Sequence, residues 1–239
     1  MTLFYFPAPL LRERSVSFGL RGVAIGGGQT ASGAMPTTTI DGGGIWGAEL
    51  TDIPLATADQ VRAWRALVAI CDSGAMPIVV PMGDKRFMPA PLVNGVPLAV
   101  IPKVPHSDGS TFSDGSPYVS DVVEATLADD ASLRATALVV RLATGSAFRG
   151  GEHFSIDHDT LRWRLYLIRT ATPNGDGTFN VTIRPPLRAD VKSGAVLQFD
   201  VPKCVMRLAA PDAAKLTLDM RHIGKPSISF IEAFPPFPA

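Results

Sequence analysis

The chain has 239 residues, with 22 Lys and Arg balanced by 22 Asp and Glu, and 46% of it is hydrophobic against only 18% charged. A mass of 25.3 kDa suits one large all-β domain or two small ones with a real core. Balanced charge without a basic stripe excludes the usual electrostatic footprint of a specific nucleic-acid binder, and no apolar run reaches the roughly 18 residues that a membrane-spanning helix needs.

The N-terminal stretch Met1 to Leu10 is apolar and aromatic, and its cations, Arg12 and Arg14, follow the apolar run. A secretion signal places them before it, so none is expected. Phe4, Tyr5 and Phe6, flanked by Pro7 and Pro9, read as an extended arm whose rings carry large contact area. They are candidate interface anchors, with a sugar platform as the alternative. Residues 15–25 alternate apolar with small or polar side chains, which puts Val16, Phe18 and Leu20 on one face of a strand. Gly26-Gly27-Gly28 lacks the Gly-Lys-Ser/Thr of a phosphate loop and leads into no helix, so it reads as a turn. Another strand is expected from Met35 to Ile40, then a turn at Gly42-Gly43-Gly44 and a short strand through Trp46.

One helix is predicted, over about residues 58–71. Thr57 and Gln60 form a capping box. Val61, Trp64, Val68 and Cys71 recur at helical spacing as one apolar stripe, and Gly74 and Pro77 stop the helix. Cys71 then falls on the buried face as a small hydrophobe. With Cys204 it makes no disulfide framework, although one bridge is open on sequence alone. Ile78 to Pro81 reads as a short buried strand.

From about Pro89 to Pro117, prolines and the pairs Asn94-Gly95, Asp108-Gly109 and Asp114-Gly115 break every period. This segment reads as an extended proline-rich arm with at most a hairpin, because proline cannot donate to a ladder. Its apolar residues, among them Leu92, Val96, Leu98 and Ile101, are too many for a solvated linker. They are candidate partner-contact residues, and an arm folded back onto its own domain is the alternative. Further strands are expected at Ala137 to Leu142, Glu152 to Asp157, Leu161 to Thr170, Phe179 to Ile183, Val196 to Phe199, Val205 to Leu208 and Ser227 to Phe230. The turn at Pro173 to Gly177 is a strong hairpin signal. The whole reads as mainly β, a β-sandwich or barrel-like core with one principal helix. Residues 1–88 supply N-terminal strands and the helix, 89–120 the arm, and 121–239 strands that complete the core or form a second β subdomain.

Few groups suggest chemistry. His153 and Asp157 share a strand face, and His158 and Asp159 lie at its end; the functional reading is a metal site and the plain one a polar strand end. His106, Ser107 and Asp108 contain the residue types of a hydrolytic triad without a nucleophile elbow, and read as a turn. Asp108, Asp114 and Asp176 lack the spacing of a helix-flanked calcium loop. No catalytic residue, metal or cofactor is expected.

Several motifs occur in a fixed order: Gly151-Glu-His-Phe-Ser155, Leu165-Tyr-Leu-Ile168, Asn174-Gly-Asp-Gly177, Val181-Thr-Ile-Arg-Pro-Pro-Leu-Arg188, Cys204-Val-Met-Arg-Leu-Ala209 and Phe230-Ile-Glu-Ala233. The helix with Val61, Trp64 and Leu67 before Gly83-Asp84, and the pair His106-Ser-Asp-Gly and Phe112-Ser-Asp-Gly115, fit the same order. In this the chain resembles the distal tail protein family of long-tailed, siphovirus-type bacteriophages over about three quarters of its length. Glu152 departs from the pattern, which more often has Asp there. The resemblance implies a β-sandwich core with one helix, assembled as a ring, commonly a hexamer. Such a ring joins tail tube protein to tail hub protein around a DNA channel in the virion and requires no catalytic residue. The alternatives are a carbohydrate-binding or hydrolytic β-sandwich at the host surface, and a neighbouring hub-proximal tail-tip protein.

Overall fold

A computed structural model describes residues 3–22, 24–39, 42–82, 87–93, 96–97, 103–104, 118–119, 121–219 and 223–236. The chain is mainly β, and among these residues it has a single α-helix. It divides into two compact units, neither continuous in sequence. The first takes Met1–Gly83, Asp157–Leu165 and Lys203–Ala239; the second takes Asp84–Ile156 and Tyr166–Pro202. The C-terminal segment 121–239 therefore contributes strands to both.

The elements of the first segment are β1 (Phe4–Tyr5), β2 (Ser15–Arg21), β3 (Ala24–Gly26), β4 (Thr37–Thr39), β5 (Ile45–Thr51), α1 (Ala58–Cys71), a 3-10 turn at Asp72–Gly74, and β6 (Ile78–Pro81). Next come β7 (Leu92–Val93), β8 (Val96–Pro97), β9 (Lys103–Val104), β10 (Tyr118–Val119), β11 (Glu124–Leu127), β12 (Ala137–Thr144), β13 (His153–His158) and β14 (Arg162–Pro173). The last are β15 (Thr178–Arg184), β16 (Val196–Leu197), β17 (Lys203–Leu208) and β18 (Ile228–Glu232).

In the first unit, six strands form one sheet in the order β1-β6-β17-β18-β5-β2. Only β1 on β6 is parallel; the other ladders are antiparallel. The helix starts and ends by local chemistry. The Thr57 hydroxyl accepts from Gln60 N while the Gln60 side chain accepts from Thr57 N, which satisfies two orphan donors. Asp72 ends it in the left-handed region at φ 41°. The buried stripe is Trp64, Leu67 and Cys71, with Val61 and Val68 only half-buried, so the apolar face lies slightly round the helix from the expected one. Cys71 and Cys204 are both buried free thiols, and burial pushes the Cys71 thiol up to about 11.

The first unit carries a buried ion pair. Arg164 is wholly enclosed, with Nη1 at 3.4 Å from Glu232 Oε1 and 2.6 Å from Ala233 O. Its Nε and Nη2 donate to Leu161 O at 3.0 and 2.7 Å. The other oxygen of Glu232 accepts from Trp46 N at 3.1 Å, and Trp46 Nε1 donates to Leu165 O at 2.7 Å. Each charge is thus surrounded by hydrogen bonds, the condition under which a buried pair is tolerated.

In the second unit, six strands run in the order β13-β14-β15-β12-β11-β16. The two ends of that row meet, because Ser155 N donates to Gln198 O and Gln198 N to Ser155 O, both at 2.9 Å. The sheet is thereby a nearly closed barrel, which removes most of its free edge. Aromatic rings fill it. Phe148 stacks on Phe199 at 5.2 Å and meets Phe179 edge-on at 5.0 Å, and Phe154 stacks on Tyr166 at 5.5 Å. The hairpin between β14 and β15 turns at Asn174 to Gly177, where the Asp176 carboxylate accepts from the Thr178 backbone and hydroxyl. Those bonds hold its acid below the ordinary carboxylate range.

The described parts of the arm form only two-residue pairings, β7 with β8 and β9 with β10. Leu98 and Ile101 lie outside the described residues, as does most of 89–117.

Candidate functional site

The polar cluster on β13 separates into residues with structural partners. Glu152, buried just before the strand, accepts from Arg149 N at 2.7 Å and Gly150 N at 2.8 Å. It clamps a turn in which Gly150 has φ +95° and a Cβ would lie 2.8 Å from Arg169 O. The longer acid at this position thus serves the turn. His153 is half-buried against a water-sized cavity of about 10 Å³ lined by Met88, Gly151, Phe199 and Pro202. Burial pushes its imidazole down to about 4. Asp157 is exposed and faces Arg162 at 3.3 Å. His158 is buried and also pushed down to about 4, by burial first and the Arg164 charge second, with Asp159 opposing. Among the described residues no group of three or more His, Cys, Asp or Glu side chains could hold a metal ion. His106, Ser107, Asp108 and Asp114 lie outside the described residues.

The aromatic trio divides by burial. Phe4 and Tyr5 are 48% and 49% exposed and, as successive strand residues, point to opposite faces. Phe6 is buried and packs edge-on against Phe230 at 6.2 Å, so its ring is used within its own unit. Tyr5 OH accepts from Trp163 Nε1 at 3.2 Å, and Lys203 Nζ sits 4.5 Å above the Trp163 ring. Of the arm residues, Leu92 is exposed at 55%. The side chain of Val96 lies outside the described residues, like Leu98 and Ile101.

A larger exposed feature was not singled out by the sequence patterns. β2 pairs with β5 at the edge of the six-stranded sheet, and β3 pairs with β4 as a separate two-stranded ribbon. β2 is the last strand of its sheet, and only Phe18 and Leu20 on it are half-buried. Beyond it, Ile25 and Met35 are 50% and 69% exposed. Residues 15–39 hold one charged side chain, Arg21, which pairs with Glu49 at 3.2 Å. Native sheet edges are usually blunted by charge, proline or a covering element, and this ribbon has almost no charge along it. The signal available in the sequence was that lack of charge, combined with alternation interrupted by glycine.

Comparison with protein-family models and with characterised proteins gives no match for this chain.

Proposed function

We propose that this protein is a structural, ring-forming component of a phage tail tip, a distal tail protein that joins the tail tube to the hub around the DNA channel. The reading rests on the order of motifs from Gly151 to Ala233, and the observation that carries it is the weakly charged β2 edge with the β3–β4 ribbon. The β2 edge and the β3–β4 ribbon expose Val16, Ile25 and Met35 and carry one charge in residues 15–39, so they are poorly suited to stay solvated. A neighbouring copy that covers the ribbon and continues the sheet would remove both liabilities. Repeated round a symmetry axis, such a heterologous contact closes into a ring, six copies in this reading. The polar residues on β13 have structural partners, which fits an assembly role.

The test is a variant in which residues 24–39 are replaced by an Asn-Gly turn. It should keep the unfolding transition of the parent while losing the oligomer in sedimentation velocity. An unchanged oligomer would refute the role given to the ribbon. A second reading, a carbohydrate-binding module, is favoured by the exposed Tyr5 beside Trp163. Such a module would stay near 25.3 kDa and lose sugar binding in Tyr5→Ala.

A further inference from the structure

The first unit has two adjoining recesses that the ring reading does not use. The first is a groove of about 350 Å³ between α1 and residues 211–216, walled by Trp64, Val68, Ala214 and Leu216. That volume is within the range of small-molecule sites. Trp64 is wholly enclosed, yet its indole N–H finds no acceptor among the described residues. The second recess, about 420 Å³, shares Lys215 with the first and adds Thr217, Asp219, Lys225 and Ser227. Arg65, Lys215 and Lys225 line the two recesses together with two acids, Asp212 and Asp219, and none of these cations has an ion-pair partner among the described residues.

We propose that the two recesses together bind a single-chain amphiphilic anion, its hydrocarbon in the groove of Trp64 and Val68 and its head between Lys215 and Lys225. An apolar trough alone would accept any oily group. The adjoining recess is lined by two lysines, Lys215 and Lys225, against one acid, Asp219, together with the Thr217 and Ser227 hydroxyls, and this excess of positive charge selects an oxyanion at one end. The hydrocarbon supplies the affinity through apolar burial; the head supplies orientation and preference. The site lies within one unit and does not depend on the ring reading.

The experiment is calorimetric titration of the full chain with decanoate, decan-1-ol and acetate, repeated on Lys215→Gln/Lys225→Gln and on Val68→Glu. Both lysines are exposed and Val68 is half-buried, and circular dichroism checks that each variant is folded. The expected result is one saturable decanoate site per chain, decan-1-ol at least tenfold weaker and acetate silent. The lysine double variant should abolish the preference for decanoate over decan-1-ol, and Val68→Glu should abolish both. No saturable decanoate binding overturns the proposal, and is the outcome expected if a partner protein's side chain occupies the groove. Equal affinity for decanoate and decan-1-ol overturns the assigned ligand class. Decanoate binding untouched by either variant overturns the assigned place.

Discussion

Replacing Glu232 with glutamine keeps the shape of the side chain and removes its charge, leaving the guanidinium of Arg164 enclosed without a counter-ion. Both side chains are 0% exposed and their closest approach is 3.4 Å. Removing one partner of a buried pair costs about 3–5 kcal/mol, because the remaining charge is left uncompensated. The lower end applies to Glu232→Gln. Arg164 keeps its bonds to Leu161 O and Ala233 O, and an amide oxygen can still accept from Trp46 N. Glu232→Ala also orphans Trp46 N, a further penalty of about 1–3 kcal/mol. The double change Arg164→Met with Glu232→Leu removes both charges and should recover most of the single-variant loss. Urea unfolding followed by tryptophan fluorescence gives each difference from the shift in midpoint at constant slope. A cost below about 1 kcal/mol for Glu232→Gln, against the range expected for a broken buried pair, would refute the view that this pair is a desolvated unit. So would a double variant that is no more stable than Glu232→Ala.

Two further perturbations follow from the same structure. His158 is held neutral by burial, with its folded value pushed from 6.5 down to about 4. The unfolded chain takes up the proton first, so stability present above pH 6.5 falls as the pH drops towards 4 and then levels. A shift of that size corresponds to roughly 3 kcal/mol, and His158→Gln should flatten the slope of stability against pH measured by urea titration. Gly150→Ala forces a side chain into the left-handed region and against Arg169 O. It should cost about 1–3 kcal/mol, read as a lowered thermal midpoint, whereas Gly175→Ala, with open space at its Cβ, should cost less.

How far the sequence foretold this architecture depended on the range of each signal. The end of the helix came at the expected Cys71, but through Asp72 in the left-handed region, with Gly74 closing the 3-10 turn that follows; its start was legible because Thr57 and Gln60 act within one turn. The hairpin at Asn174 to Gly177 and the strand Ile78–Pro81 were legible for the same reason. Alternation located most later strands but not their partners. Nothing local indicates that β1 runs parallel to β6, or that Ser155 meets Gln198 to close the barrel. Nor does period two reveal that Glu152 turns inward onto its own loop, or that Phe6 is buried while Phe4 and Tyr5 are exposed. The Arg164–Glu232 pair joins residues 68 apart, and a charged residue in a strand pattern reads as solvent-facing until its partner is known.

The central claim is assembly, and the mass of the purified chain in solution tests it most directly. Sedimentation velocity over a hundredfold concentration range, joined to images of the same sample, should show a closed ring of six 25.3 kDa chains, or a concentration-dependent series leading to it. A single species that stays at 25.3 kDa throughout, with no ring in the images, would contradict the account.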